Sequence, residues 1–489
     1  MTGFSALVGV VLPAVAVWLT MDACVLGRVI RSRTVLIALA VCGGLGLSAL
    51  SSFWLIANGT GMGPGFVLAD AILWTVVGSV AWWASRRRLG AGHQAPPRVA
   101  ASPEALPLTT TDWLVRGLFI LIALMAVGTI VKGYWALPHG EWDAWAVWNQ
   151  KARFLARGGR QWISALAIDW SHPAHPLLVP LTVARLWAYA GREITLVPAM
   201  VGIVFGTATV AVVMGGLGLH RKRAWCAGAV LLAPGTFLQH WTAQQADIPL
   251  AFFMVASLVV LAHTRISLSP GTRDTQALLL VAGGLASFAL WTKNEGMLLL
   301  GATALVASAV GVRSGHVGRV AWWAAGVVPA LLTVLWFKLT LAPVAPYYLP
   351  EGSWLSAIER LFDHQHRAVI NAALWPRWIG WGGPGAAGAA PLITIAAAVA
   401  VLSRVGYVAR FVVAVPIVML AGDYAMYLLT EVDVLWLIAT TFDRLVLQVW
   451  PSLVLAAFLV GDANERATSP HRGRSAQPPV HRDCAQEPA

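Results

Sequence analysis

Leu177–Ala190 reads LLVPLTVARLWAYA. The stretch is apolar enough to suggest a membrane-crossing helix, but Arg185 stands in its middle. Whether it crosses decides the topology, because a crossing here would invert the side of every later loop. A charge at mid-bilayer depth costs about 3 kcal/mol on insertion scales, and a crossing helix needs roughly 20 apolar residues. Outward from this stretch lie thirteen longer apolar runs, near 5–21, 34–57, 65–84, 113–133, 194–217, 224–241, 248–263, 276–292, 295–312, 320–342, 386–402, 407–428 and 444–461. With the N-terminus outside and 177–190 left uncounted, the basic loops fall on one side. These hold Arg28, Arg31 and Arg33; Arg86, Arg87 and Arg88; Arg221, Lys222 and Arg223; Arg265 and Arg273; Arg313 and Arg319; Arg404 and Arg410; and the C-terminal tail. Positively charged loops stay cytoplasmic, so the sequence predicts thirteen spans, an outside N-terminus, an inside C-terminus, and 177–190 lying in the interface.

Composition agrees. Of 489 residues, 58% are hydrophobic and 11% charged, with a mean hydropathy of +0.70, whereas soluble domains carry about 25% charged residues. This excludes a soluble enzyme, a disordered scaffold and a nucleic-acid reader. The net charge of +12 is the charge of the inner loops, so no nucleic-acid partner is expected; the partner is the lipid bilayer. The 25 Trp fit side chains placed at membrane–water boundaries. Arginine outnumbers lysine 29 to 5, which together with abundant Ala and Gly suggests a GC-rich bacterial genome and a multi-pass protein of the bacterial cytoplasmic membrane. Cys24, Cys42, Cys226 and Cys484 lack any metal-binding or disulfide spacing. The N-terminal run reads as a retained helix and not a cleaved signal. The chain divides into a three-span extension and linker (1–112), a transmembrane core (113–461) with outer loops 134–193 and 343–385, and a disordered cytoplasmic tail (462–489). No internal repeat of the transporter kind is visible.

Few ionisable groups fall at mid-span, while acidic residues gather at the outer ends, which points to a site at the outer interface. The first outer loop begins HGEWDAWAVWNQKARFLARGGRQW, residues 139–162. Helical spacing puts Trp145, Trp148, Ala152, Leu155 and Ala156 on one face and Arg153, Arg157 and Arg160 on another, as in a helix lying along the headgroup layer. Glu141 and Asp143 precede it, with capping as the alternative role for Asp143. Asp169, His172 and His175 follow in DWSHPAHP, where a metal site competes with a proline-shaped turn. Asp247 in QQADIP opens a span, as an N-cap or as a functional acid. Lys293 and Glu295 occupy the outer turn WTKNEG, and Arg444 in TFDRLVLQVWP begins the last span. Cations on the outer side run against the charge rule, so each asks for an anion. The second outer loop predicts a surface helix with Trp354, Ile358 and Leu361 on one face, read as a lid or as an inert interfacial helix.

An acid soon after a span, in a long first outer loop with an interfacial helix, resembles the GT-C glycosyltransferases, polytopic enzymes that use sugars carried on polyprenyl phosphate. The run from Asp143 to Trp162 looks like the loop of protein mannosyltransferases and of the aminoarabinose transferase for lipid A. HPLLVPLTVARLWAYAG, QQADIP, WTKNEG and TEVDVLWLIATTFDRLVLQVWP are similar to stretches in the same order there. The likeness covers roughly 113–461; the first three spans do not match, the family's large soluble C-terminal domain is absent, and EWD stands where some relatives carry adjacent acids. The resemblance implies an all-α GT-C-like fold and transfer of a sugar, with inversion, from a polyprenyl-phosphate donor to a glycan, lipid or protein acceptor on the outer face. It implies Asp143 as general base. Lys293 and Arg444, with Arg153 and Arg157, would meet the donor phosphate, and Glu141, Asp247 and His172 would orient the acceptor. No cofactor is called for, and a divalent cation is left open.

Two other classes compete. A lipid-linked sugar flippase or transporter would need polar groups at mid-bilayer depth. An outer-face polysaccharide ligase or polymerase would carry its main basic outer loop late in the chain, whereas here the acid–base cluster follows the fourth span.

Overall fold

The computed structural model describes residues 2–23, 26–30, 32–57, 61–90, 108–168, 171–218, 221–266, 273–314, 317–343, 354–402 and 407–468. Within them the chain is helical, and no strand occurs. The helices, in order, are α1 (Thr2–Ala23), α2 (Leu26–Val29), α3 (Arg33–Ala57), α4 (Pro64–Gly90), α5 (Thr110–Ala136), α6 (Asn149–Arg157), α7 (Leu178–Ala190), α8 (Leu196–Leu217), α9 (Lys222–Leu232), α10 (Gly235–Thr242), α11 (Asp247–Ile266), α12 (Arg273–Thr292), α13 (Gly296–Ser314), α14 (Val317–Trp336), α15 (Trp354–Phe362), α16 (His364–Gly380), α17 (Ala389–Leu402), α18 (Tyr407–Leu429) and α19 (Val434–Thr468).

Ten of these are long and apolar enough to cross a membrane among the described residues: α1, α3, α4, α5, α8, α11, α12, α14, α18 and α19. They coincide with ten of the thirteen runs read as spans. The other three runs take different forms. Run 295–312 lies in α13, whose apolar part is the shorter Gly296–Ala309; run 386–402 is the second half of a pair, α16 and α17, bent by 89°. Run 224–241 is broken at Ala233–Pro234 into α9 and α10. Yet Lys222 bonds Thr109 at one end of α5 (3.1 Å), and Thr242 touches Gly133 near the other. The two short helices therefore run the length of α5 together. The protein is thus an all-α polytopic membrane protein.

Burial sorts the helices. Every residue from 241 to 262 is buried, so α11 is apolar all round because it is wrapped all round by α8, α12, α18 and α19. Helix α5 is the opposite case. Trp113 and Trp135, near its two ends, are 62% and 78% exposed, and their spacing corresponds to ~33 Å of helix, close to the thickness of a hydrocarbon core. Helices α12 and α14 cross most intimately through glycine: a Cβ on Gly283 would lie 2.0 Å from the Trp323 carbonyl oxygen, and one on Gly326 would lie 2.1 Å from that of Leu280. Small residues let membrane helices close to backbone contact in this way.

The expectation for 177–190 needs correction in one respect: as expected, this stretch is not among the helices long enough to cross, but its setting differs. Helix α7 does not lie on a surface; it is packed against α1, α3, α4, α6 and α8, and Arg185 is buried. The insertion cost assumed an unpaired charge. Here Arg185 Nη2 meets Asp70 Oδ2 at 2.6 Å, Nε bridges both Asp70 oxygens at 3.1 Å, and Nη1 donates to the Gly9 carbonyl. Tyr189 Oη donates to the same carboxylate at 2.7 Å. Burial is tolerated because each polar group has a partner.

Other boundaries also move. Helix α4 continues to Gly90 and α19 to Thr468, into the stretches read as linker and tail, and α5 opens on a capping box of Thr109 and Asp112. The last long helix starts at Val434, so Arg444 lies ~15 Å along it and not at its beginning. The surface helix expected around Ile358 is α15, followed by the unexpected α16.

Candidate functional site

Segments that the charge pattern assigns to the outside meet at one end of the bundle, around Asp247. Asp247 is the first residue of α11 and is fully buried. Its Oδ1 accepts from Lys293 Nζ (3.0 Å) and Gln448 Nε2 (2.7 Å), and its Oδ2 accepts from Arg444 Nε (3.1 Å) and Nη2 (2.9 Å). The carboxylate is therefore no helix cap; it is the anchor of an ion cluster. Arg444 and Gln448 reach it together because they stand one turn apart on α19. The remaining arm of Arg444, Nη1, donates to Asp143 Oδ2. Lys293 also meets Glu295 Oε1 at 2.6 Å. Burial pushes the Lys293 ammonium down, but Asp247 and Glu295 outweigh it and hold the group above the ordinary lysine value.

Asp143 makes no capping bond, and 28% of its side chain stays exposed. It is delivered by a turn that only glycine permits. Gly140 has φ +75°, and a Cβ there would lie 2.6 Å from the Ala144 Cβ and 2.7 Å from the Ala243 carbonyl. The turn is zipped to the loop before α11: Glu141 N bonds Ala243 O at 3.3 Å, Gln245 Nε2 bonds Glu141 Oε2 at 3.1 Å, Gln244 Nε2 bonds Pro138 O at 2.9 Å, and Asn149 Nδ2 bonds Gln244 Oε1 at 2.7 Å. Glu141 thus stands beside the cluster through Gln245.

The expected interfacial helix is interrupted at its start. Ala144–Trp148 forms a π-helical turn before α6. The wider turn puts Trp145 out of register: it is 47% exposed, while Trp148, Ala152 and Leu155 are buried. That apolar face packs on α7, inside the protein, where the sequence predicted contact with lipid. On the other face, Arg153 and Arg157 pair with Glu193, at 3.3 and 2.5 Å, and are not brought to the Asp143 cluster. Arg160 follows the helix end at Gly158, in a 3-10 turn.

A second polar cluster adjoins the first. Lys151 is fully buried on α6, and its Nζ donates to the His172 carbonyl at 2.6 Å. Lys338, in the π-helical turn that ends the α14 segment, donates to the Ala174 carbonyl (3.1 Å) and to Asn294 Oδ1 (2.7 Å). That bond orients the Asn294 amide, so its Nδ2 donates to His175 Nδ1 (3.1 Å) and the imidazole proton resides on Nε2. His175 stacks on Trp148, with ring centroids 5.5 Å apart and planes at 10°. His172, 5.1 Å from His175, lies between the clusters, within electrostatic reach of Asp143, Lys151, Lys293 and Arg444. Burial, reinforced by Lys151, depresses both imidazoles, His175 further than His172, so both are neutral near pH 7. Burial, with Lys338 beside it, pushes Lys151 down to about 7.

The turn Lys293–Asn294–Glu295 joins the clusters, with its first and third residues in one and its second in the other. Among the described residues, non-glycine side chains with φ in the left-handed region occur at His172 (51°) and Gln244 (60°), both here; strained backbone of this kind concentrates at functional sites. No group of three or more His, Cys, Asp or Glu is gathered as a metal site among the described residues, and Asp169 lies outside them. Sequence reasoning reached Asp143, Asp247, Lys293, Arg444, Glu141 and His172, and it passed over Lys151, Lys338, Asn294 and Gln448. Lysine rarity was the available signal: three of the five lysines belong to these two clusters.

Fold and site define a polytopic all-α membrane protein with a buried acid–base cluster at one end. No protein-family model matches the chain, and neither a curated protein nor a solved structure matches it.

Proposed function

We propose that the protein is a membrane glycosyltransferase that moves a sugar from a polyprenyl-phosphate donor to an acceptor hydroxyl or amine at the outer face of a bacterial cytoplasmic membrane, in a GT-C-like fold. The observation that carries the reading is the pairing of Asp143, open to a substrate, with Asp247, closed to one, through a single arginine. Asp247 holds Arg444, and Arg444 holds Asp143. In the reaction the acceptor oxygen or nitrogen attacks the anomeric carbon and its proton passes to the Asp143 carboxylate. The bond from that carbon to the phosphate oxygen breaks, with its electron pair leaving on the lipid phosphate. A positioned base contributes about 10²–10⁴-fold. The leaving phosphate is already a stable anion, so no strong acid is required.

Two further features support a lipid-linked sugar. Gln245 Oε1 and Glu295 Oε2 are buried acceptors without a donor among the described residues. Sugar hydroxyls would satisfy them, and buried polar atoms rarely go unpaired. Beside Arg444, helices α16, α18 and α19 enclose an apolar groove of about 870 Å³, lined by Leu374, Trp375, Ile417, Leu420, Phe442 and Leu445 with buried Asp423. It suits an isoprenoid chain whose headgroup reaches the cluster.

The test is transfer by purified protein in nanodiscs, supplied with polyprenyl-phosphate sugars and envelope acceptors. Wild-type protein transfers and Asp143→Asn does not, although it inserts and folds. Undiminished transfer by that variant removes the base assignment, and labelling of position 143 from the cytoplasmic side removes the outer-face site. Deleting the gene should cost the envelope one sugar and build up its polyprenyl donor.

A further inference from the structure

Charge balance separates the two clusters. The first contains Arg444 and Lys293 against Asp143, Asp247 and Glu295, with every cation in contact with carboxylate. It has no positive charge to spare for an anion. The second contains Lys151 and Lys338, and the partners of both are a neutral carbonyl or amide. No carboxylate pairs with either among the described residues. An ammonium left in this condition is costly, and that cost is what depresses Lys151. An unmet donor stands with them: Trp148, stacked on His175, buries its Nε1–H without an acceptor among the described residues. His175 contributes an Nε2–H through the tautomer that Asn294 fixes. The lysine carbonyl partners, His172 and Ala174, are two residues apart, which limits their separation to about 7 Å of chain. The two ammonium groups therefore converge on one short turn.

We infer that Lys151 and Lys338, with Trp148 and His175, form a phosphate-ester site, in which the donor's phosphate is held while the Asp143 cluster acts on the sugar. The assignment rests on the glycosyltransferase reading for the identity of the ester, but not for the existence of an anion site. It moves the phosphate contact away from Arg444 and Lys293, which become positioning groups for Asp143. A dianion here would meet one fully buried and one half-buried ammonium group and two N–H donors, and hydrogen bonds between ionised partners are the strong ones. It would also complete a bipolar site: unmet donors at the phosphate, unmet acceptors at the sugar.

Binding of a short-chain isoprenyl phosphate to the detergent-solubilised full chain tests this, with the matching isoprenyl alcohol and inorganic phosphate as separate probes. Wild-type protein should bind the phosphate at least tenfold more tightly than the alcohol. Lys151→Met and Lys338→Met should each weaken phosphate binding tenfold or more and leave alcohol binding unchanged. Thermal unfolding identifies a Lys151→Met variant that fails to fold, and half-buried Lys338 then carries the test alone. Unchanged phosphate binding in folded Lys338→Met overturns the proposal. Inorganic phosphate that displaces the ester fully, at equal affinity, would assign the site to a soluble phosphate; displacement only at far higher concentration assigns it to the lipid headgroup. The two readings fail separately. Lysine-dependent binding without sugar transfer sinks the transferase reading and keeps the site. Transfer by both lysine variants at unchanged donor KM does the reverse.

Discussion

Arg185 and Arg444 are both arginines drawn into the bundle against an aspartate, and their surroundings differ in one respect. Around Arg185 everything is closed: Asp70 is buried, Tyr189 donates to the same carboxylate, and the Gly9 carbonyl takes the remaining arm. Around Arg444 the network is closed on one side only. Asp247 is buried, but Asp143 is 28% exposed and Arg444 itself 20%. The sealed pair joins α4 to α7. The half-open one joins α11, α19 and the Asp143 turn, and keeps one carboxylate available. A sealed network can only hold a structure together, whereas a network open on one side can also meet a substrate.

Removing one partner of each pair should separate these roles. Asp70→Ala leaves Arg185 buried and unpaired, and loss of one member of a buried pair costs about 3–5 kcal/mol. Thermal unfolding in detergent should show that loss, and Asp70→Leu with Arg185→Met should recover most of it. Wild-type stability in Asp70→Ala would mean the pair is no clamp. Asp143→Asn should behave in the opposite way: transfer falls by about 10²–10⁴-fold, while the unfolding temperature hardly moves, since Arg444 keeps its hold on Asp247. Equal damage to stability and transfer would erase the distinction.

A smaller effect comes from the turn that supplies Asp143. Gly140→Ala forces a side chain into the left-handed region and against Ala144 and the Ala243 carbonyl. A strained residue of this kind costs about 1–3 kcal/mol. Transfer should fall more than stability does, because the turn shifts away from Arg444. Wild-type kinetics in this variant would show that Asp143 does not need its present position.

The same contrast explains what the sequence disclosed. Asp143, Asp247 and Lys293 were legible because each stands near the outer end of an apolar run, where the acids gather and where a cation runs against the charge rule. Arg444 was legible as a cation on that side, although its helix begins a good two turns earlier. Lys151 was hidden in an amphipathic pattern that makes any lysine look solvated, and Lys338 in the tail of an apolar run. The π-helical turn at Ala144–Trp148 cannot be read from a 3.6-residue period, so Trp145 was placed on the wrong face. Arg185 was misjudged because its partner, Asp70, lies 115 residues away, and local sequence prices a charge as if it were alone.

The smallest effect is expected at Arg157, and it sharpens the comparison most cheaply. Its guanidinium meets Glu193 through Nε at 2.5 Å and Nη2 at 2.7 Å, yet the arginine side chain is 68% exposed. Exposed pairs contribute about 0.2–1 kcal/mol and are screened by salt. The hydrogen bond from Arg157 holds the Glu193 carboxyl below its ordinary value, so folding favours the carboxylate form. Its contribution is complete above the unfolded value of about 4.3 and disappears as pH falls through the lower folded value. Arg157→Ala should therefore lose no more than about 1 kcal/mol at pH 7 and converge with wild type in strong salt or well below pH 4. Isoprenyl-phosphate binding should not change. A tenfold loss of that binding in Arg157→Ala would place the phosphate on the outer face of α6, among groups that are neither sealed nor poised, and the division between the two networks would no longer account for function.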